Sequence, residues 1–225
     1  MKTTFPLYAA FAAALFFITG CAKKDTTSID GRVKTVTLVG NPDYITTFVY
    51  DAQNRLSSTE SSTGHRSVIV YSPMQLTVFK YDSGATVAND TTVATLNSNG
   101  QIATVDDGTA YTYDSDGQMV KAENTGYTTV YTWSADNMVG EMTVAGTDTT
   151  RWGRTYLTNK PDYRAAIFAQ GKQSKNLIGT ETRTQSNGQV FTTTFTYEYD
   201  ALGRVTKSTD VSNSGSTTIN QFTYF

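Results

Sequence analysis

A seven-residue turn pattern recurs along this chain and limits the folds that the chain can adopt. An aromatic or aliphatic residue comes first, Asp, Asn or Ser second, Gly or Asn fifth, and in most copies an aliphatic residue seventh. The copies lie at 50–56, 96–102, 113–119, 133–139 and 199–205. The second residue can accept hydrogen bonds from backbone amides two residues on, and the fifth can adopt the left-handed backbone conformation. The pattern predicts hairpin turns closed by a bulge, with the flanking aromatic and aliphatic residues paired across the two strands.

The segments between these turns alternate in hydrophobicity with a period of two residues. Phe191, Phe195, Tyr197 and Tyr199 lie on one face of such a segment, which is typical of a strand. The chain has 41 Thr, 14 Tyr and 11 Phe, and these residue types favour sheets. Successive turns at positions 96, 113 and 133 lie 17 and 20 residues apart, so each interval holds two short strands and a second turn. We therefore predict one all-β domain over 30–225, with roughly 14–16 antiparallel strands that form a barrel or a strongly curled sheet.

The N-terminal residues have the features of an export signal followed by a lipid anchor. Lys2 precedes the apolar stretch 5–18, which is too short to span a bilayer but suits a signal sequence. The stretch leads into Ile18-Thr-Gly-Cys21, which resembles the bacterial lipobox. The resemblance implies that residues 1–20 are removed, that Cys21 carries acyl chains, and that 21–29 form a polar tether to the membrane. Ala22 directly after Cys21 resembles the signal that sorts lipoproteins to the outer membrane. The resemblance leaves open whether the protein faces the periplasm or the exterior.

Two further resemblances concern the body of the chain. Tyr199 to Val205, and more loosely Tyr50 to Leu56, resemble the YD repeat of the Rhs family. The layout over 33–225 resembles a Bacteroides-type lipoprotein domain of unknown function with a porin-like fold. Rhs proteins form a large β shell with many more repeats, so the resemblance implies a fold and little about activity.

The repeat is interrupted at 151–183, where basic side chains are concentrated. Pro161 and Asp162 suit the first turn of one short helix near 162–170, and Gly171 suits its end. The candidate surface for a ligand or partner consists of Arg151, Arg154, Lys160, Arg164, Lys172 and Lys175. Such a surface would suit an anionic glycan, a lipid headgroup or a protein. The alternative is a structural cap whose charges are solvated and whose apolar residues Ile167, Phe168, Leu177 and Ile178 close the end of the sheet or barrel.

Composition excludes several classes of function. One His and one Cys cannot supply most zinc sites or His- or Cys-based catalysis. A net charge of −2 without a basic run argues against nucleic-acid binding. We predict no catalytic, cofactor-binding or metal-binding residues, and a non-enzymatic cell-envelope module that binds a glycan or an envelope protein. Two alternatives remain: a carbohydrate-active hydrolase with a carboxylate pair, and a small outer-membrane barrel, which the aromatic ending at Phe225 favours.

Overall fold

The computed structural model describes residues 31–40, 44–162 and 171–225, which form a closed antiparallel barrel of 16 strands. Each strand pairs with its neighbours in the sequence, and β16 pairs with β1 to close the barrel. The strands are β1 (Val33–Leu38), β2 (Tyr44–Tyr50), β3 (Leu56–Ser61), β4 (Arg66–Ser72), β5 (Gln75–Tyr81), β6 (Asp90–Leu96), β7 (Ile102–Val105), β8 (Ala110–Tyr113), β9 (Met119–Glu123), β10 (Thr128–Ser134), β11 (Asn137–Ala145), β12 (Asp148–Pro161), β13 (Asn176–Thr184), β14 (Val190–Tyr199), β15 (Val205–Ser212) and β16 (Thr217–Tyr224).

The predicted all-β barrel is confirmed, and the strand count lies within the predicted range. The predicted capping helix near 162–170 is not supported: Asp162 is not helical, 163–170 lie outside the described residues, and the described residues contain no helix. The interruption at 151–183 supplies most of β12 and β13, so the connection between these two strands consists of 162–175. In the described parts of the chain, no helix has the length and apolar character needed to cross a membrane.

The recurring turns follow even-numbered strands, and we call the end of the barrel where they lie the repeat-turn end. In the first of them, Asp51 Oδ1 accepts the backbone N–H groups of Gln53 and Arg55, each at 2.9 Å. Asn54 then takes a left-handed φ of 61°. The same pair of amide bonds is made by the side chains of Asn97, Asp114 and Asp200.

One copy of the turn differs from the prediction. At 133–139 the left-handed residues are Ala135 and Asp136, whereas the sequence pattern assigns that conformation to Asn137. Ser134 pairs directly with Asn137, so only two residues connect β10 and β11. A two-residue hairpin turn commonly needs positive φ at both central positions. The left-handed conformation therefore falls on Ala135 and Asp136, which precede Asn137 in the sequence.

The strand register confirms the predicted pairing of the flanking residues in four of the five copies; in the copy at 133–139, Trp133 lies opposite Met138 and not Val139. Tyr50 lies opposite Leu56, and Tyr113 lies opposite Met119. A register shift next to each pair marks the predicted bulge. The same arrangement joins Leu96 to Ile102 and Tyr199 to Val205. The turn pattern therefore sets the register of each of these hairpins.

A series of side-chain hydrogen bonds joins the two strands of successive hairpins at the repeat-turn end. In each, a Tyr or Trp near the end of an even-numbered strand donates to a backbone carbonyl near the start of the preceding strand. The pairs are Tyr50 to Val33, Tyr71 to Leu56, Tyr113 to Ile102, Trp133 to Met119, Tyr156 to Met138, Tyr197 to Ile178 and Tyr224 to Val205. The equivalent residue of β6 is Leu96, whose side chain carries no hydrogen-bond donor.

The two faces of the sheet differ sharply in composition. The main buried cluster lies inside the barrel along β1 to β7 and consists of Val33, Phe48, Leu56, Ile69, Leu76, Ala94, Leu96 and Ile102. Alternate residues point outward, and many of them are Thr. Exposed Thr pairs bridge neighbouring strands, as between Thr35 and Thr223 at 2.7 Å and between Thr155 and Thr180 at 2.7 Å. The apolar core therefore occupies the inside of the barrel along β1 to β7. The outside carries hydroxyl groups together with exposed aliphatic side chains such as Val49, Val70 and Val130.

Candidate functional site

The inside of the barrel carries charged side chains where β11, β12 and β13 meet. Arg154 Nε donates to Glu181 Oε2 at 2.8 Å, and Arg154 Nη2 donates to Glu141 Oε2 at 3.0 Å. The Arg154 side chain is only 10% exposed. Burial by itself lowers the pKa of the Arg154 guanidinium, but Coulombic attraction and hydrogen bonds from Glu181 and Glu141 outweigh burial and raise it. The three residues form a buried ion triad.

Strand register explains why these three charges meet. Arg154 lies directly opposite Glu181 in the β12–β13 pair, and Glu141 lies opposite Trp152 in the β11–β12 pair. Paired residues share a face of the sheet, as do residues two apart on a strand. Trp152, Arg154, Glu141 and Glu181 therefore all face the inside of the barrel.

A cavity of about 360 Å³ adjoins this triad at the end of the barrel opposite the repeat turns. Its volume lies within the range of small-molecule sites. It is lined by Trp152, Glu181, Arg183, Phe191, Thr193, Ser212 and Ser214. The lining combines two aromatic rings, one carboxylate, one guanidinium and three hydroxyl groups, so it offers flat apolar surface beside many polar atoms.

Arg183 is the lining residue whose polar groups are least satisfied. Its guanidinium carbon lies 4.7 Å from the centre of the Phe191 ring, the residue directly opposite on β14. Arg183 Nε is buried and has no hydrogen-bond partner among the described residues. Arg154 Nη1, in the neighbouring triad, is likewise buried and without a partner there. Buried donors without acceptors are rare in proteins and call for an explanation.

One carboxylate lines this cavity, and a second lies beside it in the triad. Glycoside hydrolysis generally needs two carboxyl groups flanking the scissile bond, and Glu181 is the single carboxylate among the lining residues. Glu181 is also held by Arg154 at 2.8 Å. The described residues contain no group of three or more His, Cys, Asp or Glu side chains placed to hold a metal ion.

The basic residues that the sequence singled out lie on different parts of the molecule. Arg151 is exposed on β12 and faces outward, whereas Arg154 faces inward as part of the triad. Lys160 Nζ lies 4.5 Å from the centre of the Tyr199 ring, at the repeat-turn end. Arg164 lies outside the described residues. Whether any of these side chains contacts a ligand stays a prediction, but Arg151 and Arg154 do not share a surface.

Lys172 and Lys175 lie on the connection between β12 and β13, where it crosses the repeat-turn end. The backbone N–H of Lys172 donates to the Gly117 carbonyl at 2.7 Å, and that of Lys175 donates to the Asp136 carbonyl at 2.9 Å. Lys172 Nζ also contacts Asp136 Oδ1 at 2.7 Å, and this hydrogen bond raises the pKa of Lys172 and lowers that of Asp136. These hydrogen bonds hold this part of the connection against the turns that contain Gly117 and Asp136.

Sequence reasoning did not assign Trp152, Phe191 and Arg183 to a site. Trp152 alternates with Arg151, and Arg183 with Thr182 and Thr184, so a period-two analysis could have placed Trp152 and Arg183 inside a barrel. Their meeting with Ser212 depends on the register of four strands, β12 to β15. The sequence carries no local signal for that register across the irregular connection at 162–175.

Comparison with known proteins supports the fold. No protein-family model and no curated protein matches the chain. Among solved structures, a porin-like protein from Bacteroides vulgatus ATCC 8482 is similar with a TM-score of 0.58 and 13% identity, over 87% of this chain and 99% of that one. A porin-like protein from Bacteroides uniformis ATCC 8492 is similar with a TM-score of 0.61 and 14% identity, over 86% of this chain and 98% of that one. The chain therefore has a porin-like barrel fold.

Proposed function

We propose that this chain is a lipid-anchored protein of the cell envelope whose barrel binds a glycan without changing it chemically. The observation that carries the proposal is the cavity where the Trp152 and Phe191 rings adjoin Arg183 and several hydroxyl groups. Aromatic faces pack well against the apolar faces of sugar rings, because both are flat and present C–H groups or π electrons. The surrounding polar side chains can exchange hydrogen bonds with sugar hydroxyls.

The place where the chain enters the barrel supports a binding end that points away from the membrane. β1 begins at Val33, whose carbonyl accepts the Tyr50 hydroxyl at the repeat-turn end. An acylated Cys21 would begin the nine-residue tether 21–29, which can extend at most about 30 Å. The anchor would thus hold the repeat-turn end near the bilayer, with the cavity at the far end.

A second candidate function is a small outer-membrane barrel. Its support is the closed 16-strand barrel and the two porin-like neighbours. Transmembrane strands usually have about 9–11 residues and an apolar outward face. Here β7 and β8 have 4 residues each, and Thr192, Thr194 and Thr196 occupy three of the five outward positions of β14. The geometry therefore favours the anchored module.

The two candidates predict opposite behaviour of the Cys21→Ser protein produced as residues 21–225, without the signal sequence. If the chain is an anchored module, mass spectrometry of the unsubstituted protein from the cell envelope should find acyl chains on Cys21, and the Cys21→Ser protein should purify folded and monodisperse without detergent. A barrel that needs detergent to stay folded, or that inserts into lipid vesicles as a conducting channel, would contradict the first proposal and support the second.

Glycan binding is tested on the same Cys21→Ser protein with a broad glycan array. We expect a defined set of ligands, whose binding Trp152→Ala removes because the flat surface of the cavity is lost. Tyr81→Ala is the matched control, since Tyr81 is an aromatic residue on the outward face of β5. An array without any ligand, or equal binding by both variants, would contradict a glycan site in this cavity.

A further inference from the structure

We propose that the cavity recognises a sugar bearing a carboxylate, and that Arg183 is the residue that binds this carboxylate. The inference rests on the proposed glycan-binding function and adds the chemical class of the ligand. It starts from the arginine fork that lines the cavity without any hydrogen-bond acceptor among the described residues. A carboxylate is the group that such a fork binds best, because two parallel N–H donors match its two oxygens.

The position of Arg183 is fixed before any ligand arrives. Its guanidinium lies over the Phe191 ring at 4.7 Å, a contact that restricts the plane of the fork. By contrast, the neighbouring Arg154 uses two of its nitrogens on Glu141 and Glu181. The triad has one cation and two carboxylates, so the Arg154 charge is fully committed to Glu141 and Glu181. Arg183 is therefore the lining cation of the cavity that has no carboxylate partner among the described residues.

The remaining lining residues favour a sugar over an acidic peptide as the bearer of the carboxylate. Trp152 offers a ring on the wall of the cavity, and its indole N–H makes no hydrogen bond within the described part of the chain. Thr193, Ser212 and Ser214 add hydroxyl groups, which can donate to and accept from sugar hydroxyls alike. The strands beside the cavity already pair on both sides, so no sheet edge is free there to pair with a peptide backbone.

The experiment uses titration calorimetry on the same Cys21→Ser protein, residues 21–225, with matched pairs of probes. The acidic probes are oligomers of galacturonic acid and of hyaluronan, and each neutral partner is the methyl ester of the same oligomer. Triglutamate serves as an acidic peptide probe. The methyl ester removes the charge and makes the two oxygens inequivalent while adding only one methyl group, so the comparison tests recognition of the carboxylate. We expect at least one free acid to bind about tenfold or more tightly than its ester.

Arg183→Gln should abolish this difference in affinity between acid and ester. Arg183→Lys keeps the charge but loses the two parallel N–H donors, so it should retain only part of the difference in affinity. The matched control is Arg66→Gln. Arg66 also stacks on the aromatic residue opposite, with its guanidinium carbon 4.2 Å from the centre of the Tyr81 ring, but on the outer face of the barrel. If the Arg183 variants fail to fold, the ester comparison on the unsubstituted cavity still decides.

The outcomes separate this inference from the proposed function beneath it. Equal binding of acids and esters, or preference for the esters, would overturn the role of Arg183 and leave glycan binding in place. Triglutamate binding in the absence of sugar binding would overturn the sugar as ligand. If no acidic sugar binds, the inference is wrong, and an empty glycan array on the same protein would then also remove the proposed function.

Discussion

Tyr71 donates its hydroxyl hydrogen to the carbonyl oxygen of Leu56 across 3.0 Å, from the end of β4 to the start of β3. Leu56 lies next to the bulge that closes its own turn, and bulges remove backbone groups from the regular ladder. Its side chain is fully buried. The tyrosine thus supplies a hydrogen bond to a carbonyl that lies next to the disrupted part of the ladder.

Removal of this hydroxyl should destabilise the barrel. We expect Tyr71→Phe to lower the free energy of unfolding by about 1–3 kcal/mol, since a poorly solvated carbonyl loses its donor. Denaturant unfolding measures this. Tyr81→Phe is the control, because Tyr81 points outward and its hydroxyl has no hydrogen-bond partner among the described residues. Equal effects of both substitutions would show that the hydroxyl contact contributes nothing specific.

The buried phenols of Tyr71 and Tyr111 predict how the stability of the barrel depends on alkaline pH. Burial raises the pKa of Tyr71 from 10.0 to about 12, with a lowering contribution from Arg55 and a raising one from Asp51. Burial also raises the pKa of Tyr111 to about 12. The unfolded chain releases these protons at lower pH than the folded chain, so stability should hold below pH 10 and fall as pH rises from 10 to 12.

Unfolding measured across that window, with tyrosinate absorbance as a second signal, checks the prediction. Tyr71→Phe should make the decline with pH shallower, because one shifted group is removed. A stability that stays constant from pH 10 to 12 would contradict the burial of these two phenols.

Gly171 should tolerate substitution less well than other glycines with positive φ. A Cβ at Gly171, where φ is +87°, would lie 2.6 Å from the Gly117 carbonyl oxygen and 2.6 Å from the Tyr113 ring. Gly203 has φ of +79° but open space around the equivalent atom. We expect Gly203→Ala to cost about 1–2 kcal/mol from backbone strain alone, and Gly171→Ala to cost roughly 1–3 kcal/mol more from the clash.

Thermal unfolding of the two variants gives this difference directly. Limited proteolysis adds a local measurement, because loss of the Gly117 contact should expose the connection at 162–175 to cleavage. Similar midpoints and similar cleavage in both variants would mean that the connection moves aside at little cost.

Removing the cation of the ion triad alone should lower the free energy of unfolding more than replacing all three of its residues together. Arg154→Met leaves Glu141 and Glu181 facing each other without a cation, and we expect a loss of about 3–5 kcal/mol. Replacing all three residues, with Glu141→Gln and Glu181→Gln added, should recover much of this loss. Urea unfolding of the single and triple variants tests the prediction, and a triple variant no more stable than the single one would contradict it.

Much of the fold followed from local sequence patterns. The turn residues Asp51, Asn54, Asp114 and Gly117 carry their conformational preferences within a few bonds, so the hairpins and their bulges could be predicted without a structure. Alternation of Thr with aromatic residues predicted strands for the same reason. The helix prediction near 162–170 depended on Pro161 and Gly171, which are weak signals because the same residues suit a strand end and a turn.

Closure and the contents of the barrel depended on tertiary structure. The pairing of β1 with β16 joins Val36 to Phe222, residues that are far apart in the chain and carry no mutual signal. Arg183, Phe191 and Ser212 meet because several registers add up around the barrel, and an error of one residue in any of them would turn a side chain to the opposite face. The sequence by itself determined which hairpins form, through local backbone chemistry, whereas only the closed sheet decided which side chains line the cavity.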